Sequence, residues 1–130
     1  MTDCEKGTSA EVRFIYEADG RGWKVYVPLG HAHAADLVIL RPPKRPISVQ
    51  VKTATFNPHR NNYGVMTSRG KKTKKAYARG DFQILAAWLP DLKQFVLWRF
   101  DEIKKRKKIC YSPRLHRQPD NWEILDTVLK

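Results

Sequence analysis

Two short β-branched runs, residues 36–41 (DLVILR) and 47–53 (ISVQVKT), are separated by five residues, three of them proline. Proline donates no ladder hydrogen bond and fixes its own φ, so 42–46 (PPKRP) reads as a turn and the flanking runs as the arms of a hairpin. In the second arm Ile47, Val49 and Val51 alternate with Ser48, Gln50 and Lys52, giving one apolar and one polar face. With a five-residue loop, Arg41 falls opposite Ile47, Val38 opposite Gln50 and Asp36 opposite Lys52. Opposed residues share a face of the sheet, so Asp36, Gln50 and Lys52 converge near one end of the hairpin. A slip of one residue would flip the faces.

The rest of the chain supplies elements to cover such a hairpin. Residues 8–19 read as a helix: Thr8 and Glu11 have capping-box spacing, Val12, Ile15 and Tyr16 share a face, and Gly20 and Gly22 end it. Residues 23–27 alternate as a strand closed by Pro28, and 63–67 and 94–100 read as two more strands. The apolar run 82–89 fits either strand or helix, because period alone does not decide it. Asp101 is placed to cap a short basic helix, and Asp120 a last helix from 121 to about 129. The four tryptophans read as core. The pattern gives an α/β fold with a mixed central sheet flanked by helices. At 130 residues, with no repeat and no linker, residues 1–130 form a single domain.

Charge narrows the partner. Residues 1–65 hold nine Lys and Arg against six Asp and Glu, whereas 66–130 hold sixteen against seven. The net charge of +12 fits a polyanion, most often nucleic acid, and argues against cationic substrates. The excess lies in two runs: Arg69, Lys71, Lys72, Lys74, Lys75 and Arg79, interleaved with Tyr77, and Lys104, Lys105, Arg106, Lys107 and Lys108. The first reads as a loop that is either a solvated face or a grip on nucleic-acid phosphate. The second reads either as another contact or as a favourable helix C-terminus. No apolar run approaches the roughly 20 residues needed to span a bilayer, and the N-terminal stretch lacks the apolar core of a signal peptide. The expectation is an intracellular protein with no membrane partner. Two cysteines, Cys4 and Cys110, imply neither a disulfide framework nor a Cys-based zinc site. His31 and His33 form an HxH pair without a third ligand in evident spacing, and read as solvated loop residues, as do His59 and His116.

An acid, an amide and an ammonium on one sheet face suit a site where a divalent cation meets a phosphate. Asp36 followed by Gln50-Val51-Lys52 in VQVKTA resembles the PD-(D/E)XK nuclease signature, with Gln at the (D/E) position and Ala35 in place of its proline. Glu11, behind Lys6-Gly7, matches the helix glutamate of that superfamily. The run GTSAEVRFIYEADGRGWKVYVPLG resembles the opening αβ unit of compact single-domain members, which include archaeal Holliday junction resolvases and bacterial group I intron homing endonucleases. The resemblance covers about residues 6–103.

The resemblance implies a restriction-endonuclease-like core and a DNA endonuclease dependent on Mg²⁺, with Mn²⁺ as a substitute. It implies that Asp36 is the central metal ligand, that Gln50 and the Val51 carbonyl add oxygens, and that Glu11 completes the shell. Lys52 would then orient or activate the attacking water, leaving 5′-phosphate and 3′-hydroxyl ends. The glutamine costs the metal one negative charge, which Glu11 would offset. It also keeps open a non-catalytic DNA-binding protein that retains the fold. Each residue has a simpler role too: Glu11 as half of a capping box, Asp36 as a turn residue, Gln50 as a surface amide, Lys52 as an edge-strand guard against aggregation. One chain carries one catalytic set, so cutting two strands or two junction arms calls for a homodimer or higher homo-oligomer.

Overall fold

The first helix, α1, spans Asp3–Gly20. Ala10, Phe14 and Ala18 recur every four residues and form its buried stripe, with Ile15 at the edge. The computed structural model describes residues 3–29, 35–69 and 75–128, and for residues 3–8, 68, 69 and 75 the backbone alone. The helix thus begins five residues before Thr8, which lies in its interior and not at its start. Val12 and Tyr16, expected on the apolar face, are 59% and 76% exposed. The two alanines explain the difference: small side chains on either side of Phe14 let the helix lie close against the sheet. Gly22, at φ +88°, closes the helix, with the Trp23 N–H returning to the Ala18 carbonyl.

Strands β1 (Lys24–Tyr26), β2 (Leu37–Leu40) and β3 (Ile47–Thr53) follow. Next come β4 (Thr55–Asn57), β5 (Asn62–Met66), β6 (Ser68–Arg69) and β7 (Lys75–Ala76). The ambiguous apolar run resolves as β8 (Ile84–Leu89), paired antiparallel with β9 (Gln94–Arg99). Then come α2 (Phe100–Ile103), β10 (Lys108–Tyr111) and a 3-10 helix, Trp122–Thr127.

The central sheet has the order β1-β2-β3-β8-β9 and is mixed, because β3 and β8 alone run parallel. One face carries Leu37, Ile39, Val49 and Val51 against Phe14 of α1 and Trp122 of the 3-10 helix. The opposite face carries Leu85, Ala87, Val96 and Trp98, and a second sheet of order β10-β5-β4 covers it with Tyr63, Val65, Ile109 and Tyr111. Burial on both faces is why β8 shows no alternation in sequence. Among the described residues no helix is long and apolar enough to cross a membrane.

Three ends differ from the sequence expectation. Asp101 lies in the first turn of α2 and does not cap it; Arg99 stands at the cap, its N–H donating to Glu102 Oε1 at 3.0 Å. The basic run 104–108 leads into β10 and not along a helix. Asp120 adopts a left-handed φ of 62° and precedes a short 3-10 helix whose cap position is Asn121. The Asn121 side chain instead braces β9, accepting from the Leu97 N–H at 2.8 Å and donating to the Leu97 carbonyl at 2.9 Å.

Glu102 anchors the tail to β9. Its carboxylate accepts from Arg117 Nη2, and Arg117 Nη1 donates to the Leu97 carbonyl at 2.9 Å. Burial alone would raise the Glu102 pKa, but the Arg117 hydrogen bond, the Arg99 N–H and both guanidinium charges together hold it below the ordinary value. A depressed carboxyl stabilises the fold above its unfolded pKa of about 4.3, and that stabilisation is lost as pH falls through the folded value. Glu102→Gln is expected to cost about 1–2 kcal/mol at neutral pH and to converge on wild type in acid. Urea unfolding at neutral and acid pH checks this; an equal loss at both would remove the charge from the account.

Candidate active site

Asp36 sits one residue before β2, and its N–H still donates to the Val49 carbonyl at 2.9 Å. The β2–β3 ladder pairs Leu37 with Val49, Val38 with Ser48 and Ile39 with Ile47. Asp36 therefore lies across from Gln50 and not across from Lys52, two residues away from the register expected of a five-residue loop. Even slips preserve faces, so the polar side chains still meet. Arg41 accounts for the longer loop: its guanidinium lies 4.4 Å from the Trp23 ring centroid and donates to the Arg21 carbonyl at 3.1 Å. These ties draw Arg41 toward α1 and β1, away from Ile47.

Asp36 Oδ2 accepts from the Val51 N–H and from Gln50 Nε2, both at 2.9 Å. The same Gln50 nitrogen reaches the Val51 carbonyl at 3.3 Å. Gln50 is buried, 7% exposed, so its amide belongs to the site and not to the surface. Burial raises the Asp36 pKa against the Val51 N–H and the Lys52 charge, which lower it. Burial also raises that of Glu11, and the Asp36 charge adds to it. Asp36 thus lies within electrostatic reach of both the Glu11 carboxylate and the Lys52 ammonium, at the end of the sheet where β3 finishes. The Lys52 ammonium lies 5.5 Å from the Tyr77 ring centroid, within cation–π range.

These atoms suit a hard divalent cation. The Asp36 carboxylate and the Val51 carbonyl converge closely enough for one Gln50 N–H₂ group to touch both, and Glu11 adds a second carboxylate nearby. Rotation of the Gln50 amide would present its oxygen to the same point. Among the described residues no three His, Cys, Asp or Glu side chains cluster as ligands, so a cation here would need the Gln50 and Val51 oxygens as well as the acids.

A model of a family described as PD-(D/E)XK endonuclease matches residues 1–121. The chain belongs to that family. The PD-(D/E)XK match spans both the hairpin and the Glu11 helix. The chain is also 29% identical over 108 residues to Protein 5.3 of Escherichia phage T7, covering 83% of this chain and 89% of that protein. Its fold matches the solved structure of a bacterial homing endonuclease, I-Ssp6803I, with a TM-score of 0.82 and 23% identity, over 96% of this chain and 93% of that one.

The basic run of this PD-(D/E)XK chain is placed in part. Arg69 and Lys75 are ladder partners in the β6–β7 ribbon, Arg79 is exposed, and Lys71, Lys72 and Lys74 lie outside the described residues. His31 and His33 also lie outside them. Tyr77 corrects the reading of an aromatic interleaved on a DNA-gripping surface: it is 8% exposed and packs edge-on against Phe82 at 4.8 Å. Its place is beneath Lys52, a role that its position within a charge run conceals. β5 matches the strand read at 63–67, but its hairpin partner β4 escaped the sequence reading, although Asn57-Pro58 and Asn61-Asn62 were a turn signal.

Proposed function

We propose that this PD-(D/E)XK endonuclease is a metal-dependent deoxyribonuclease that hydrolyses DNA phosphodiesters inside the cell as a homo-oligomer. The observation that carries this is the meeting of Asp36, Gln50 and the Val51 carbonyl at one point, with Glu11 and Lys52 in electrostatic reach. Glu11, Asp36, Gln50 and Val51 would hold Mg²⁺ or Mn²⁺, which when bound supplies charge stabilisation at phosphorus and a more acidic water. Lys52 holds the attacking water or the charge growing on the phosphoryl oxygens. The water oxygen bonds to phosphorus, the P–O3′ bond breaks, and the 3′-oxygen leaves protonated, giving 5′-phosphate and 3′-hydroxyl ends.

The basic ribbon supports a polyanionic substrate. Arg69 and Lys75 are ladder partners, and a ribbon with a basic residue on each strand suits phosphate. Paired cuts call for two copies, and Tyr26 and Val27, both exposed, lie on and beside the edge strand β1, which suits self-association.

The test is incubation of supercoiled plasmid and of a synthetic four-way junction with Mg²⁺ or with EDTA. Cleavage in Mg²⁺ alone supports the reading, and the preferred substrate separates a site-specific enzyme from a resolvase. Salt-sensitive binding of a random-sequence duplex library with no cleavage at any metal concentration would move the chain to the non-catalytic DNA-binding reading.

A further inference from the structure

The second sheet has an outer face with no covering layer among the described residues. Tyr63, Val65, Ile109 and Tyr111 point inward, so alternation turns Asn62, Gly64, Lys108 and Cys110 outward, with Thr55 and Asn57 beside them on β4. This face forms an open hollow of about 620 Å³. Two cations, Arg60 and Lys108, line it together with the Asn57 and Asn62 side chains, and no acid does. Gly64 sits at its floor, where a Cβ would come 2.9 Å from Lys108 Cε.

We infer that this face reads base edges in the major groove of duplex DNA. Its position gives the first reason. A single residue, Ala54, separates β3 from β4, so the β4–β5 hairpin grows from the end of the sheet that carries Asp36 and Lys52. A duplex with a phosphate at Asp36 has flanking base pairs within reach of that hairpin. Shape is the second: β10 pairs only with Tyr63–Met66, so the Asn57–Asn62 end of the hairpin is a two-stranded ribbon, and a major groove about 12 Å wide admits one. Chemistry is the third. Arginine and lysine pair with guanine edges and asparagine with adenine, the Phe56, Pro58 and Met66 side chains in the lining can meet a thymine methyl, and the lack of an acid argues against a cationic partner. The tip is also held in place, since Asn57 Oδ1 accepts from the His59 N–H at 3.0 Å and the Arg60 N–H at 3.4 Å. Such preordering limits the entropy lost when Arg60 binds. Lys108 and Arg60 make no ion pair among the described residues, so neither must be freed before it contacts DNA.

The inference rests on the DNA-endonuclease reading above and adds where sequence is read. Its test digests a random-sequence duplex library in Mg²⁺ and sequences the cut ends, for wild type, Arg60→Ala, Asn62→Ala and Gly64→Val. Valine suits a strand, and its Cβ first meets the flexible end of Lys108, so this variant blocks the hollow without removing charge. The melting temperature of each variant confirms folding.

Wild type is expected to cut at a preferred sequence. Each alanine variant should lose roughly tenfold or more of its discrimination at one or two base pairs. Gly64→Val should lose preference across several, with the salt slope of library binding unchanged. A wild-type motif kept intact by all three folded variants would overturn the assignment and leave the nuclease standing. So would cutting without sequence preference, or equal binding of duplex RNA, whose major groove is too narrow for a ribbon. No cutting and no binding of any duplex by wild type would remove both readings.

Discussion

Asp36→Asn and Lys52→Ala are each expected to lower plasmid cleavage about 10³-fold while leaving the melting temperature within a few degrees of wild type. The two losses have different origins. Asparagine keeps an oxygen that can accept from the Val51 N–H and from Gln50 Nε2, so the hydrogen bonds that Asp36 makes at 2.9 Å survive. What it removes is the negative charge. Lys52→Ala removes the ammonium and its contact with the Tyr77 ring, worth about 0.5–1 kcal/mol to the fold. Asp36→Leu separates the two functions of this residue. It has no acceptor for the Val51 N–H or the buried Gln50 amide, and stranding them costs about 1–3 kcal/mol in addition to the lost activity. Cleavage assays beside thermal melts decide the matter. Full cleavage by Asp36→Asn, with destabilisation confined to Asp36→Leu, would make Asp36 a bracket for the β3 backbone and nothing more.

The shared face of Asp36, Gln50 and Lys52 was readable because a strand's period is two. The hairpin register differs from a five-residue loop by two residues, yet Asp36, Gln50 and Lys52 keep their face, since only odd slips exchange faces. The pairing itself was not readable. It depends on Arg41 being held by Trp23 and the Arg21 carbonyl, residues some 20 positions away whose contacts exist only after folding. The helix face failed for a different reason. Hydrophobicity favours Val12 and Tyr16, whereas the sheet selects Ala10 and Ala18 because close approach needs small side chains. In β10, Ile109 and Tyr111 are the only inward residues, and they follow five consecutive basic ones that mask the alternation. Tyr77 was misread in the same way: a ring inside a charge run resembles a nucleic-acid contact until burial beside Phe82 shows otherwise.

Phe14→Ala is expected to be among the most destabilising single changes in the chain, at about 3–5 kcal/mol. Phe14 is fully buried. Its ring meets Phe95 edge-on at 5.3 Å and stacks on Trp122 at 5.1 Å, joining α1 to β9 and the 3-10 helix. Alanine would leave a void that three separate elements must close together. The rigid sheet cannot follow, so the lost transfer energy and the cavity term add. A domain of this size has about 5–15 kcal/mol in total, so a sizeable share is at stake. The urea midpoint should fall with its m-value unchanged. The consequence would reach the proposed site, because Glu11 lies one helical turn before Phe14 on the same anchored helix. Phe14→Leu tests that link: it fills most of the volume, at a smaller cost, but loses both aromatic contacts. If the anchor sets Glu11, cleavage by the folded Leu variant should fall severalfold more than its stability predicts. Unchanged cleavage would mean that Glu11 keeps its place, or is not needed there.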